Sequence, residues 1–204
     1  MGGRQGESGG PALSFLRYLW IILTGEGKAE DISATFADQQ PGLVLDALYF
    51  VLPEGIDLRV DTQYMIEEPA SSYYYARPAS FLPSGNVQIV KDGGGDCSGG
   101  ALAVAVDNGL CTAEWANAHR TTSSIFAATT DLGKEWSAAR AGDLACFAGH
   151  VGLVVLFDED GCPLMLNWSG GTSITKGDNP NAKAKVQRVD YRKDFTGFRR
   201  FPTS

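Results

Sequence analysis

A run of small apolar residues behind a glycine loop is the feature that most constrains how this chain folds. Gly93–Asp96 (GGGD) leads into Cys97, and Ala101–Val106 (ALAVAV) contains no polar residue. A segment that is apolar on every side, rich in alanine and about a dozen residues long is typical of a helix buried on all faces. Asn108-Gly109 supplies its C-cap. The rest of the domain must therefore build a core around this helix.

Strand-like segments come after this helix, beyond a helical or irregular stretch that ends near residue 140. Their patterns predict strands at Asp143–Phe147, His150–Phe157, Pro163–Trp168, Ala184–Tyr191 and Gly197–Phe201. A helix followed by antiparallel strands indicates an α+β domain in which the helix packs against one face of a sheet. A further short strand is predicted before the glycine loop, at Val87–Val90.

The first 80 residues differ in character from this core. We expect residues 1–10, which are glycine-rich and polar, to be disordered. Residues 11–80 form a helical or irregular extension, with helices at Ala12–Thr24 and Leu43–Val51 and short β-prone pieces within Ile56–Pro83. Residues 81–204 form the core domain. The extension is interpreted as a packing elaboration, with docking to a partner or inhibition as the alternatives.

Charge and hydropathy argue against nucleic-acid binding and against a membrane span. Seventeen basic and twenty-four acidic residues give a net charge of -7, which disfavours binding to nucleic acid. The longest apolar stretch, Ala12–Leu23, contains Arg17 and is too short to span a membrane, and no convincing export signal precedes it.

The cysteine and histidine counts bear on metals and disulfides. Four cysteines without a C-x-x-C pair, together with only two histidines, match no zinc ribbon or finger, so no metal site is predicted. We also expect no cofactor. Cys111, Cys146 and Cys162 are interpreted as small hydrophobes in or near the core. A disulfide between Cys146 and Cys162 is left open.

Cys97 is the candidate nucleophile. The positive end of a helix favours the thiolate, and a preceding glycine loop lets backbone N–H groups approach a developing oxyanion. The alternative is that Cys97 is only a small buried residue, as free cysteines often are.

His150 is the candidate base and Asn167 the residue that orients it. His119 lies in a polar helical context and is expected at the surface, whereas His150 opens a strand. A two-residue turn at 159–160 pairs the strands so that His150 faces Ser169, with Asn167 as its diagonal neighbour on the same face. We expect the Asn167 carbonyl to accept the Nδ1 proton of His150, which leaves Nε2 for the thiol. From spacing alone, an ordinary polar strand residue is an equally good interpretation of Asn167.

The motifs between about residues 93 and 201 resemble those of a known family. Gly95–Gly99 (GDCSG) is similar to the D-C-S-G signature of NlpC-type cysteine peptidases, which are papain-like enzymes that cut peptidoglycan. Gly142–Phe147 (GDLACF) resembles the family's G-D-L-x-x-F strand, and His150–Gly152 its H-V-G element. Asn167 falls where the third polar residue belongs. The W-G-G element that many members carry ahead of the cysteine is not found, and Tyr73–Tyr75 are candidates for the aromatic residue there.

The resemblance implies a papain-like core and a cysteine endopeptidase that cleaves peptidoglycan stem peptides, between D-glutamate and a diamino acid. Cys97 would attack, His150 would transfer the proton and Asn167 would hold the imidazole. The residues expected around the oxyanion and the substrate are Gly95, Asp96, Ser98 and Gly152. Such an enzyme acts at the bacterial cell wall, in the periplasm or outside the cell, and a phage particle, a secretion apparatus or lysis would carry it there.

Different functions for the same core stay open. The same three residues serve amidases that cut between N-acetylmuramic acid and alanine, and they also serve acyltransferases. A different class is an inactive structural protein of a virion, or an adaptor that retains the core without the activity.

Overall fold

An antiparallel sheet of six strands organises the part of the chain that the computed structural model describes, which is residues 58–75, 77–158, 160–170 and 174–202. These residues belong to the unit that spans Leu48–Ser204. The strands lie in the order β1-β6-β2-β3-β4-β5. Their bounds are Thr130–Gly133 (β1), Leu144–Phe147 (β2), His150–Phe157 (β3), Pro163–Ser169 (β4), Lys183–Arg188 (β5) and Phe195–Arg200 (β6).

Five α-helices accompany the sheet in the described residues, numbered here in chain order. They are Arg59–Ile66 (α1), Asn86–Gly93 (α2), Cys97–Asp107 (α3), Ala113–Ala118 (α4) and Thr122–Ala128 (α5), and short 3₁₀ turns lie at Trp136–Ala138 and Val189–Tyr191. Together with the sheet they confirm the predicted α+β class. None of the described helices combines the length and the hydropathy that crossing a membrane requires.

Helix α3 is the centre of the core, as its composition predicts. Every residue from Cys97 to Val106 is buried, and the helix packs against β3 and β4. At Gly100 a Cβ atom would lie 2.3 Å from the indole ring of Trp168 on β4. Glycine at this position therefore lets the helix backbone approach the sheet closely enough to cover it.

One prediction of local structure before α3 is wrong, since the segment predicted as a strand at Val87–Val90 lies in helix α2. The prediction of β-prone pieces within Ile56–Pro83 is confirmed only in part, because Ser72 and Tyr73 form isolated β-bridges but the stretch also contains helix α1. The carboxylate of Asp107, at the far end of α3, accepts hydrogen bonds from the Val87 N–H (2.8 Å) and the Asn86 side chain (2.7 Å). A residue distant in sequence thus supplies the hydrogen-bond acceptor for the first turn of α2. The local sequence pattern does not indicate this contact.

Several predictions fall on residues 1–57 and lie outside the described residues. They are the disordered start at 1–10 and the helices at Ala12–Thr24 and Leu43–Val51. The domain boundaries at residues 10 and 80 stay a prediction. Helix α1, from the predicted extension, contacts α2 and β5.

The cysteines are all buried and unpaired with one another, so Cys146 and Cys162 form no disulfide. The interpretation of Cys111, Cys146 and Cys162 as small core residues is confirmed. Burial raises the pKa of Cys111 to about 12 and that of Cys146 further still, so both thiols stay protonated.

Candidate active site

A cavity of about 240 Å³ opens where the start of α3 meets β3 and β4, and both Cys97 and His150 line it. Asn167, on β4, lies close to His150 and is fully buried. The polar part of the cavity wall also includes Tyr73, Tyr75, Arg77, Thr122, Ser169 and Arg192. Within the described residues, no group of three or more histidine, cysteine or acidic side chains gathers as a metal site.

Cys97 is the first residue of α3 and its thiol is largely buried. Burial, followed by the negative charge of Asp96, raises the pKa of Cys97. The Val151 N–H, the Thr122 hydroxyl and the Ser98 N–H interact with the sulfur and act in the opposite direction. In the absence of substrate the sulfur is therefore a protonated thiol. The three donors around it would stabilise a negative charge on the sulfur.

His150 is the first residue of β3 and is 7% exposed. Burial, followed by the nearby Arg192 cation, lowers the pKa of His150 to about 4, while Asn167 and then Asp194 act in the opposite direction. At neutral pH the imidazole is uncharged and able to accept a proton.

Phe147 forms an apolar wall beside the imidazole. It pairs with His150 across the β2–β3 hairpin, and the two ring centroids lie 5.8 Å apart. The rings of Tyr191 and Phe195 pack edge-on against Phe147 at 5.7 and 5.4 Å. This cluster keeps water from one side of the imidazole.

The amide of Asn167 has a fixed orientation. Its Nδ2 donates to the Lys185 carbonyl (3.3 Å) and to Gln187 Oε1 (3.4 Å) on β5, so Oδ1 must lie on the other side. Asn167 Oδ1 and His150 Nε2 are both buried and have no hydrogen-bond partner among the described residues. Asn167 nevertheless lies close enough to raise the pKa of the imidazole.

The strand register that brings these residues together is the predicted one, although the predicted turn is wrong. Leu153 pairs with Leu166, a register that continues to His150 opposite Ser169 and Gly152 opposite Asn167. At the turn, however, Phe157 pairs with Pro163, one position further than a two-residue loop allows. A bulge between Val154 and Leu156 absorbs the extra residue.

Asp96 and Ser98 line the cavity, but the structure gives both a supporting task. Asp96 caps α3, since its Oδ1 accepts the Gly99 N–H at 2.7 Å and its Oδ2 pairs with Arg77 Nε at 2.8 Å. Ser98 Oγ lies within 3.1 Å of Asp96, Arg77 and the Arg120 carbonyl. Both side chains are almost fully buried, so they hold the tip of α3 in place.

Gly95 and Gly152, the other two residues of the predicted substrate-binding set, are not among the residues that line the cavity. The Gly95 N–H donates to the Ser72 carbonyl at 3.0 Å and is not available to an oxyanion. At Gly152 a Cβ atom would lie 2.6 Å from Met165 Sδ and 3.1 Å from Asn167 Cβ. Gly152 thus makes room for the side chains of β4.

Among the three consecutive tyrosines, Tyr73 and Tyr75 line the cavity, whereas Tyr74 packs against Gly94. Burial, followed by the charge that Cys97 can carry, raises the pKa of Tyr73. A parallel bridge between Tyr73 and Gly95 fixes this segment beside the glycine loop.

Sequence reasoning missed Thr122, Arg77 and Arg192. Thr122 begins α5, and a capping box between Thr121 and Ser124 marks that helix start in the sequence. Nothing in the local pattern indicates that Thr122 reaches the sulfur of Cys97. His119 is half-buried, with Nδ1 2.8 Å from the Trp115 carbonyl, and it lies outside the cavity lining.

No protein-family model and no curated protein matches the chain. A comparison with solved structures finds the peptidoglycan hydrolase RipB from Mycobacterium tuberculosis, with 18% sequence identity and a TM-score of 0.37. That match covers 95% of this chain and 90% of the other. At this TM-score the likeness supports no argument about function.

Proposed function

We propose that this protein is a cysteine hydrolase that uses Cys97, His150 and Asn167 to cleave an amide bond of peptidoglycan stem peptides. The observation that carries the proposal is the shared cavity: a thiol at a helix tip and an uncharged imidazole line it, and a fixed amide stands behind the imidazole. A nucleophile, a base and a group that orients the base are the three parts that this chemistry needs.

The proton moves from Cys97 to His150 as the sulfur attacks the carbonyl carbon. Since His150 Nε2 and Asn167 Oδ1 are buried without partners among the described residues, we assign a hydrogen bond from Nε2–H to Oδ1 in the active state, which would satisfy both atoms. That tautomer leaves Nδ1 as the acceptor of the thiol proton. It is the reverse of the tautomer expected from the hairpin spacing.

The neutral resting pair favours a proton transfer that accompanies attack. Burial keeps the thiol protonated and the imidazole uncharged, so the ion pair forms when substrate enters the cavity. The Val151 N–H and the Thr122 hydroxyl then stabilise negative charge on the sulfur. Alkylation at low pH is therefore a poor test of activity for this site, and product analysis is a better one.

The tetrahedral oxyanion forms near the tip of α3. The N–H groups in the first turn of a helix have no intrahelical acceptor, and Cys97 is the first residue of α3, so we assign its N–H as one donor to the oxyanion. The hydroxyl of Tyr73, which lines the same cavity as Cys97, is the second donor that we assign. Asp96 is excluded from this role because a carboxylate donates no hydrogen bond.

Collapse of the intermediate breaks the C–N bond and leaves an acyl group on Cys97 as a thioester. The imidazolium gives its proton to the leaving amine. Water, activated by the neutral imidazole, then hydrolyses the thioester and restores the thiol.

The substrate assignment rests on the resemblance of GDCSG, GDLACF and HVG to the motifs of NlpC-type peptidases. It implies the bond between D-glutamate and a diamino acid, and action at the bacterial cell wall. The test is to digest purified muropeptides and to identify the new amino group by mass spectrometry. A new amino terminus on the diamino acid supports the endopeptidase, whereas release of an intact stem peptide from the sugar indicates an amidase.

An acyltransferase and an inactive protein would each give a different result in the same digest. An acyltransferase joins the acyl fragment to an added amine and not to water. A structural or adaptor protein leaves all muropeptides intact, and that result would refute the proposal.

A further inference from the structure

The cavity carries more positive than negative charge, although the whole chain has a net charge of -7. Its charged lining residues are Arg77, Arg192 and Asp96. A third cation, Lys185, lies beside the rim, where its Nζ would be 3.2 Å from a Cβ atom at Gly170. An acidic protein thus presents a locally basic site, which favours anionic ligands.

The carboxylate of Asp96 offers nothing to a cationic group of a ligand. It is buried, and its two oxygens already accept from the Gly99 N–H and the Ser98 hydroxyl and pair with Arg77. Its charge serves the helix tip and one arginine. A ligand that enters the cavity therefore meets arginine side chains in preference to an acid.

Arg77 has donors to spare. A guanidinium carries five N–H donors, and Arg77 engages Asp96 and Ser98 through Nε alone. No hydrogen bond of Nη1 or Nη2 is found among the described residues, and the side chain is 27% exposed. The guanidinium lies 5.9 Å from the centre of the Tyr75 ring.

Arg192 is engaged more fully. Its Nε and Nη2 both pair with Asp194, and its guanidinium lies 5.3 Å from the centre of the Phe147 ring. Asp194 thus occupies two nitrogens of the Arg192 guanidinium. Of the two arginines, Arg77 is therefore the better anchor for an anion.

We propose that Arg77 binds a carboxylate of the substrate close to the scissile amide, so that the cavity selects acyl donors with a free carboxylate over their carboxamide forms. The inference rests on the proposed function and specifies its substrate class. Nη1 and Nη2 form a planar pair of donors that matches the two oxygens of a carboxylate. Since Arg77 also contacts Ser98, the residue after the nucleophile, the bound carboxylate lies near the reacting carbonyl.

The test measures binding to a variant that lacks the nucleophile and cannot cleave the peptide. Two stem peptides are compared, identical except that the D-glutamyl residue carries a free α-carboxylate in one and a carboxamide in the other. Their dissociation constants are measured by calorimetry with Cys97→Ala, and then with Arg77→Met and Arg77→Lys added to it. Arg188→Gln, which removes an equal charge from the ion-paired surface of β5, is the matched control.

We expect the free acid to bind at least about tenfold more tightly than the amide to Cys97→Ala and to the Arg188→Gln control. We expect that ratio to fall to about one with Arg77→Met and to an intermediate value with Arg77→Lys. Equal binding of acid and amide to Cys97→Ala overturns the inference without any Arg77 variant, as does failure of both peptides to bind. If Arg77→Met does not fold, the Arg77→Lys ratio decides, because an unchanged ratio there contradicts pairing with two nitrogens.

Failure of the inference and failure of the proposed function are distinguishable. If wild type leaves both peptides uncut, the proposed hydrolysis fails, while the binding ratio still reports on Arg77. If wild type cuts both peptides at equal rates and they bind equally, only the selection of a carboxylate fails.

Discussion

The backbone N–H of Val151 faces the sulfur of Cys97 and lowers its pKa, so the first two residues of β3 both serve the site. His150 supplies the imidazole, and the next peptide group supplies a donor for the sulfur. Burial of the thiol works against the thiolate, and this contact offsets part of that cost. The start of one strand thereby holds the imidazole of His150 and contacts the thiol of Cys97.

Thr122 is predicted to stabilise the Cys97 thiolate. Removal of its hydroxyl in Thr122→Val should raise the pH midpoint of Cys97 alkylation by about one to two units, since a hydrogen bond to a charged group contributes about 1.5–3 kcal/mol. The midpoint is measured with iodoacetamide under native conditions, by mass spectrometry of the Cys97 peptide. Thr122→Ser should restore the wild-type midpoint, and equal midpoints for all three proteins would contradict this role.

Asn167 is predicted to matter for turnover more than for binding. In Asn167→Ala the imidazole loses the group that orients it, and we expect kcat for muropeptide cleavage to fall roughly 10²-fold with KM little changed. The melting temperature is measured in parallel, because Asn167 Nδ2 also holds β5. A variant that is folded and retains wild-type kcat would rule out the orienting role.

The lowered pKa of His150 predicts how the unfolding free energy depends on pH. Its pKa falls from 6.5 to about 4 on folding, so between these values the unfolded chain binds more protons and the folded state loses stability as pH falls. The full loss is about 3 kcal/mol, and above pH 6.5 the contribution is complete. Urea unfolding between pH 7 and 4 should show this loss in wild type.

The two histidines provide a matched pair for this measurement. His150→Gln should remove the part of the pH dependence that belongs to the buried imidazole, whereas His119→Gln should keep it. The same slope in wild type and in His150→Gln would mean that the imidazole is not buried in its neutral form.

Gly100 is predicted to tolerate no side chain. In Gly100→Ala the new methyl group would overlap the Trp168 ring, and we expect a loss of about 1–3 kcal/mol of unfolding free energy. Gly93→Ala is the control, since a Cβ atom there meets nothing within 4 Å, and in a helix it should be neutral or stabilising by up to about 1 kcal/mol. Equal stabilities of the two variants would contradict the close packing of α3 on β4.

Composition alone sufficed to predict α3, because a segment without a polar face has only the core to occupy. The fate of Val87–Val90 could not be predicted in that way. Those residues are apolar enough for a strand, and the acceptor that makes them helical, Asp107, lies about twenty positions away. Local propensity decides little when a distant side chain caps the first turn.

The strand pairing at the site could be predicted from alternation, but the turn could not. Five residues, 158–162, separate Phe157 from its partner Pro163, whereas the expected turn would leave four between Phe157 and its partner. A slip of one residue at the site would have turned Asn167 to the opposite face from His150. The bulge at Val155 cancels that slip before the strands reach the site. Two deviations from the expected hairpin thus leave the predicted neighbours together.

The supporting residues of the site have no signature in the sequence. Cys97, His150 and Asn167 stand out by residue type and by position on their elements. Thr122 and Arg77 come from segments whose patterns describe only local structure, and they reach the cavity through tertiary packing. Only the folded chain brings residues of this kind to the site.

In the proposed reaction the sulfur of Cys97 is the nucleophile. The most direct test of this role is the rate of muropeptide cleavage by wild type, Cys97→Ala and the control Cys111→Ala, whose thiol is buried away from the cavity. We predict cleavage by wild type and by Cys111→Ala and no product with a folded Cys97→Ala protein. Cleavage by Cys97→Ala at the wild-type rate would contradict the role of Cys97 as the nucleophile.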